Sequence, residues 1–331
     1  MIRNNVRGFN VFSRMLVMAA VTSLSIALTA GQSLAKYPEK PISMIVAYSP
    51  GGGTDTAARV VAKYVQPYLG KRLIIQNKPG AGGQIGFTSL AQAKTDGYRI
   101  GFINSPSIVM VKMLRDNVPY EMSDFEPIAN IQLDPVVLVV KADSPYKTLA
   151  DLVEDAKKNP GKINVGGDGP QSNNQLQLIV AEDKLGVDLN FVPYNGSGPA
   201  ITSLLGGQVD AAVPSATSAT THINNGRLRA LGVFSPESYK YLPGVPTIKE
   251  ATGVDIPSVG AASRGIAAPK GISAEHKAFL TKAFADVMKD KGFVEQADKM
   301  GLPLKYMNPA EYSAYLEQAA AEAKKYIHLM K

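Results

Sequence analysis

The sequence predicts an α/β protein of two lobes, one interrupted by the other. Three observations carry this. Short apolar runs alternate with amphipathic helical patterns along most of the chain, which argues a layered α/β architecture with parallel sheets. Glycine-rich turns recur where such a run ends and a helix begins. Two strand-like runs, 136–140 and 261–268, stand where the chain would leave one lobe and later return to it.

The first 35 residues read as a targeting segment. Arg3, Arg7 and Arg14 precede an apolar run over 15–28, and Ser33 and Ala35 form a small-residue cleavage pattern, the layout of a secretory signal peptide. The run falls short of the roughly 20 residues a membrane span needs. Of 35 Lys and Arg in the whole chain, these residues hold three, and none of the 28 acids, so 32 basic residues face 28 acids after cleavage, a net charge of +4. The basic residues are scattered, without the basic stripe and stacking aromatics of a nucleic-acid binder. The chain has no cysteine, which excludes a lipoprotein anchor, disulfides, thiolate metal sites and thiol catalysis. The roughly 296 remaining residues are enough for two lobes resting on their cores alone.

The mature chain opens with a strand over 42–47, the turn Tyr48-Ser49-Pro50-Gly51-Gly52-Gly53-Thr54-Asp55, and a helix with Val60, Val61, Tyr64 and Val65 on one face. Thr54 or Asp55 is the expected N-cap. The glycines let backbone approach a ligand, and the first helical turn points free N–H groups at it, an anion-binding arrangement. A second strand over 73–76 leads to Asn77-Lys78-Pro79-Gly80-Ala81-Gly82-Gly83 and a helix through Ile85, Leu90 and Ala91. Two such turns can face one ligand. A third strand, 98–102, is followed by Asn104-Ser105-Pro106-Ser107, at the strand end where open α/β sheets bind ligands. Residues 114–128 read as an irregular traverse.

Residues 134–140, Asp-Pro-Val-Val-Leu-Val-Val, are the most strand-like run and suit a strand buried on both faces. Thr148 caps a helix that ends at Asn159-Pro160-Gly161. A strand over 163–165 precedes a third glycine-rich turn, Gly166 to Asn174, and a helix that stops at Gly186. The unit repeats: strand 189–192, turn Pro193 to Gly198, helix 199–205 ending at Gly206-Gly207. A strand over 209–213, the turn Pro214 to Ser218, a short helix and a strand over 228–234 complete the second lobe. After a proline-rich connection over 236–257 and the returning strand come two helices, one starting near Ser273 and one opening on Asn308, Pro309 and Glu311 as a capping box.

Chemistry beyond binding has little to work with. The three histidines, His222, His276 and His328, show no metal-ligand spacing. No Gly-x-Ser-x-Gly elbow or phosphate loop occurs. Gly80, Gly82 and Gly86 resemble a dinucleotide fingerprint, but Lys78 and Pro79 separate them from the strand. Backbone N–H groups, hydroxyls and amides remain, a set suited to holding an anion by several hydrogen bonds in a cleft that closes.

Several motifs occur in one order: Tyr37-Pro38-x-Lys40-Pro41-Ile42, Pro50-Gly51-Gly52-Gly53-Thr54-Asp55, Asn77-x-Pro79-Gly80-Ala81-Gly82-Gly83, Asp96-Gly97-Tyr98, Val192-Pro193-Tyr194-x-Gly196-Ser197-Gly198-Pro199-Ala200, Gly206-Gly207-Gln208-Val209-Asp210, Leu228-Arg229-Ala230-Leu231 and Leu242-Pro243-Gly244-Val245-Pro246-Thr247. Across nearly the whole mature chain this resembles the Bug family, the periplasmic substrate-binding proteins of tripartite tricarboxylate transporters. The resemblance implies a class II periplasmic-binding-protein fold, with lobe 1 from 36–137 and 258–331, lobe 2 from 138–257, and a cleft that shuts like a Venus flytrap.

It also implies a small carboxylate ligand (a dicarboxylate, aromatic acid or amino acid), integral membrane transporter subunits as partners, a periplasmic location, a monomer, and neither cofactor nor enzymatic activity. One carboxylate would be held by Gly51, Gly52, Thr54 and Asp55 with Ala81, Gly82 and Gly83. Asn104 and Ser105 stand beside them. The distal end would meet Ser172, Asn173 and Ser197, with Ser215 as a further candidate. The alternatives are a sensory module presenting its closed form to a receptor kinase, and an exported enzyme acting on a carboxylated substrate. Departures from the family pattern are Gln175-Leu176, where many relatives have His before Leu, and Ala262-Ser263-Arg264-Gly265, where an aromatic-Gly pair is common. Asp134 at the crossing would repel a second carboxylate, pair with a ligand amine, or pair with Arg264, the plain structural reading being the ion pair.

Overall fold

A computed structural model describes residues 37–330. The expected signal peptide lies outside the described residues. In chain order the strands are β1 (Ile42–Val46), β2 (Leu73–Asn77), β3 (Arg99–Ser105), β4 (Phe125–Asp134), β5 (Val137–Lys141), β6 (Asn164–Asp168), β7 (Asn190–Tyr194), β8 (Ala211–Ala212), β9 (Leu228–Val233), β10 (Ala262–Pro269) and β11 (Leu304–Met307). They form two sheets, ordered β11-β4-β10-β3-β1-β2 and β7-β6-β8-β5-β9, both within one compact unit that starts at Lys40.

Neither sheet is purely parallel as the alternation predicts. β1 runs parallel to β2 and β3, and β6 parallel to β7 and β8, but β10 is antiparallel to β3 and β4, and β5 to β8 and β9. The reason is the interruption. The chain leaves the first sheet at Asp134, the end of β4, and re-enters opposite it at Ala262, the start of β10. A strand leading out and a strand leading in at the same edge must run antiparallel.

The run 134–140 is therefore two strands in different sheets. Asp134 ends β4, Val137 starts β5, and the break falls at Pro135, whose missing N–H and fixed φ suit a sheet-to-sheet crossing. The traverse 114–128 is more regular than expected. It holds the 3-10 turn Met122–Asp124 and the start of β4, and a helix, Ser107–Leu114, leads into it. The helix Ile248–Thr252 lies in the stretch read as a connection, and the helix Lys291–Lys299 and strand β11 lie between the two expected terminal helices.

The capping signals act as expected at several ends. Thr148 and Asn308 each form a capping box, with Asp151 and Glu311, and Gly186 ends Asn173–Leu185 in the left-handed conformation. The helix Pro309–Tyr326, expected in the first lobe, spans both. Tyr312 and Leu316 pack in the first-sheet core with Phe87 and Ile103. Ala323 packs in the second-sheet core with Val136, Leu176 and Val180. Tyr326, and Leu329 and Met330 just beyond the helix, pack against the same core.

Candidate functional site

The first wall is the turn between β1 and the helix Gly53–Leu69. Gly52, not Thr54 or Asp55, is the N-cap, and no side chain caps this helix. Asp55 instead sits inside the first turn and accepts from Gly51 N–H at 3.0 Å, Arg59 Nε at 2.9 Å and Asn77 Nδ2 at 2.9 Å. Burial opposes its ionisation, but these hydrogen bonds win and hold its carboxyl below the ordinary range. Asp55 thus ties the first glycine turn to the end of β2, where the second begins. The absent cap leaves the first-turn N–H groups without a capping side chain.

Thr54 Oγ1 accepts from Asn104 Nδ2 at 3.0 Å and Arg264 Nε at 3.1 Å. Asn104 and Ser105 are the last residues of β3 rather than part of a turn, because the strand runs three residues beyond its expected end at residue 102. Asn104 Oδ1 and Ser105 Oγ are buried with no hydrogen-bond partner among the described residues, and buried Tyr48 Oη has only the nearby Ser107 hydroxyl, outside good hydrogen-bond geometry. Such groups are uncommon in folded proteins and call for a partner. Burial pushes the Tyr48 phenol well above its ordinary pKa, so it stands as a neutral donor.

In the second turn, Ala81, Gly82 and Gly83 all have positive φ. A Cβ on Gly83 would lie 3.2 Å from Tyr48 Oη and nearer still to the Phe87 ring. One on Gly82 would lie 2.4 Å from the carbonyl oxygen of Pro170, across the cleft. The two lobes meet here backbone to backbone. They meet again where Gly198 approaches Pro50, Gly51 and Gly52, and where Ser49 N–H donates to Asn195 O at 3.0 Å. Arg115 clasps the rim, donating to Ala81 O (2.8 Å) and Gln84 Oε1 (2.7 Å) on one side and to Pro170 O (3.1 Å) and Gln171 Oε1 on the other.

The second wall comes from the third turn and its neighbours. Ser172 is a buried N-cap accepting from Gln175 N–H. Asn173 donates to Gly260 O at 2.7 Å and accepts from Ser107 Oγ, while its own N–H donates back to Ser107 Oγ. Asn173 thus ties the walls together, while Ser172 caps its own helix. Ser197 Oγ donates to Asp168 Oδ1 at 2.7 Å and accepts from Ser215 N–H. Asp168, Gly166 and Gly167 belong to β6 rather than to the turn, since the strand extends three residues past its last branched residue, Val165.

Asp134 and Arg264 form the ion pair that is one of the sequence alternatives. Arg264 Nη1 donates to Asp134 Oδ2, Nη2 to Ser215 Oγ at 3.0 Å, and Thr217 N–H donates to Asp134 Oδ1. Their side chains are 0% and 2% exposed. Removing one partner of such a pair leaves an uncompensated buried charge and costs about 3–5 kcal/mol. The pair needs Gly53, where a Cβ would fall 2.4 Å from Arg264 Nη2 and 2.5 Å from Ser215 Oγ.

The structure therefore brings the expected glycines, Thr54, Asn104, Ser105, Ser197 and Ser215 to one cleft, but occupies Asp55, Asp134 and Asn173 with protein partners. Sequence reasoning did not single out Tyr48, Gly53, Ser107, Arg115 or Asp168. Tyr48 and Ser107 carried a signal, since both adjoin turns at strand ends. Among the described residues no group of three or more His, Cys, Asp and Glu could hold a metal ion.

A family model for the tripartite tricarboxylate transporter family receptor matches residues 57–331. The chain belongs to this receptor family. It is 35% identical over 264 residues to the UPF0065 protein of the tcbD-tcbE intergenic region of Pseudomonas sp. strain P51, covering 79% of this chain and 78% of that one. It is 32% identical over 285 residues to the protein BugT of Bordetella pertussis, covering 86% and 87%. Among solved structures, the periplasmic binding protein BugD matches at 32% identity with a TM-score of 0.83, over 88% of this chain and 98% of that one. The two-lobed α/β fold of the family's binding proteins is thus the fold of this chain.

Proposed function

We propose that this receptor-family protein is a periplasmic solute-binding protein. It captures a small carboxylate between its lobes and delivers it to the membrane subunits of a tripartite tricarboxylate-type transporter. It acts as a monomer, without cofactor or turnover, after removal of a signal peptide over residues 1–35. The single observation that carries this reading is the pair of facing glycine turns, Gly51–Gly53 and Ala81–Gly83, closed over by Gly169–Gln171 and Gly196–Gly198, with unpartnered polar groups enclosed between them.

The chemistry follows from that arrangement. The uncapped first turn of Gly53–Leu69 offers N–H groups and a positive dipole end to one carboxylate. Tyr48 Oη and Ser105 Oγ supply neutral donors. Each hydrogen bond to a charged group contributes about 1.5–3 kcal/mol once water is excluded, so a handful reaches micromolar affinity only with the lobes shut. Opening at the crossings near Pro135 and Gly260 exchanges ligand with solvent, and the shut form is the one a transporter would recognise.

The test is a thermal-shift screen of protein unfolded and refolded to strip carried-over ligand, against mono-, di- and tricarboxylates, aromatic acids and amino acids. A ligand at about 100 times its Kd adds about 2.7 kcal/mol to stability, a readable rise in Tm. A panel in which no carboxylate raises Tm sinks the reading.

A further inference from the structure

Asp168 is a charged group in the cleft that the architecture does not use up. Its Oδ1 accepts from Ser197 Oγ, but no donor among the described residues reaches Oδ2. The residue is half-buried, so this oxygen is not sealed in the core. Desolvation pushes its carboxyl up to about 6, against the lesser pull of Ser197 and Arg264 and with the push of Asp134.

Charge counting in the cleft gives the direction. Asp134 and Arg264 neutralise each other, and Arg264 is further held by Thr54 and Ser215. Arg59 is held by Asp55. With Asp168 ionised, this end of the cleft carries one net negative charge. A purely anionic ligand would be repelled from this end, whereas a positive group would neutralise it. At the other end, Arg115 places a guanidinium with no carboxylate partner behind the Ala81–Gly83 turn, which favours a carboxylate on that side. The backbone contact of Gly82 with Gly169 puts the two ends within one small molecule's reach. Tyr48 Oη, buried with only the Ser107 hydroxyl nearby, feels the charge of Asp168 and lies against Gly83.

Resting on the proposed function, we infer that the ligand is a zwitterion, a carboxylate bearing an ammonium group, and that Asp168 Oδ2 accepts from that ammonium as the specificity-determining residue. The carboxylate lies at the first-lobe turns and the ammonium points to the end of β6. No bond is made or broken. An aliphatic acid without the amine leaves Asp168 desolvated and unpaired, and that penalty is what rejects it.

The experiment is isothermal titration of ligand-stripped protein, produced from the full sequence, with matched pairs: aspartate and succinate, glutamate and glutarate, phenylalanine and 3-phenylpropionate. The tightest-binding pair is repeated with Asp168→Ser and Asp168→Asn. The expected result is that the amino acid binds about tenfold or more tighter than its desamino partner, as one charge-assisted contact requires. Both variants erase that ratio while keeping the wild-type circular dichroism. Equal binding of the two members in wild type overturns the inference and leaves carboxylate capture intact. So does a wild-type ratio that stays unchanged as pH falls through about 6, since protonating Asp168, which Ser197, Arg264, Asp134 and Tyr48 face, should remove the penalty on the desamino acid and narrow the ratio. A ratio that survives in both variants overturns it too. No binding by any pair overturns the inference and counts against carboxylate capture itself.

Discussion

Gly82→Ala should impair ligand capture far more than it impairs folding. Two effects act at this position, and they separate. An alanine held in the left-handed region costs about 1–2 kcal/mol wherever it occurs, and Gly82 has φ 63°. That strain is internal to the first lobe and is the same with the cleft open or shut. The second effect exists only where the lobes meet, because the new Cβ would lie 2.4 Å from the Pro170 carbonyl oxygen. Contact at that distance is not tolerated, so the third turn must retreat. Retreat pulls Pro170 and Gln171 away from Arg115, which donates to both. Losing one charge-assisted hydrogen bond costs about 1.5–3 kcal/mol, and affinity falls by about ten- to hundredfold. Gly70→Ala is the control, since Gly70 has φ 67° and open space around an added Cβ. Calorimetric titration with the best ligand of the panel, alongside thermal unfolding without ligand, distinguishes the two. Similar Tm losses but a much weaker Kd for Gly82→Ala support the reasoning. If Gly82→Ala binds as tightly as Gly70→Ala, the contact between these turns has no part in capture.

Arg115→Ala should speed ligand release by about tenfold, since it removes the clasp across the rim while touching no core residue; stopped-flow dissociation reads this, and an unchanged rate refutes it. Asp168→Asn should change how stability depends on pH. The folded pKa of Asp168 is about 6 against about 3.9 unfolded, so the folded chain binds this proton more tightly. Its favourable contribution is full below pH 4 and is lost as pH rises through 6, about 3 kcal/mol in all. The gap in unfolding free energy between Asp168→Asn and wild type should therefore widen by that amount from pH 4 to 7 without ligand. Glu182, pushed up to about 7 by burial, titrates in both proteins and cancels. A gap that does not change with pH would mean that Asp168 is not desolvated.

Much of this was legible from local pattern. The turn from β1 into Gly53–Leu69 and the turn from β2 into Gln84–Ala91 each combine an apolar run, glycines and a helical stripe within about 20 residues, and those signals are short-range. Asn308 and Glu311 likewise declare a helix start on their own. The strand ends were less visible. Asn104, Ser105, Gly167 and Asp168 are polar or glycine, so they read as turn, yet they are strand because neighbouring strands β10 and β7 supply ladder partners. Tertiary pairing overrides local propensity at such ends.

What the sequence determined by itself was the α/β alternation, the glycine turns and the resemblance to a receptor family, because each is written in contiguous residues. Which polar side chains remain free was settled by contacts between distant parts of the chain. Asp55, Asp134 and Asn173 were all candidates for a ligand, and each is occupied by a protein partner. Asn104 and Ser105 keep a buried atom without a protein partner, and Asp168 keeps one oxygen with no protein donor. Arg264 meets Asp134 across 130 positions of chain, and Gly82 meets Pro170 from the other lobe. Whether a buried charge is neutralised depends on such distant meetings, to which no local periodicity or spacing is sensitive.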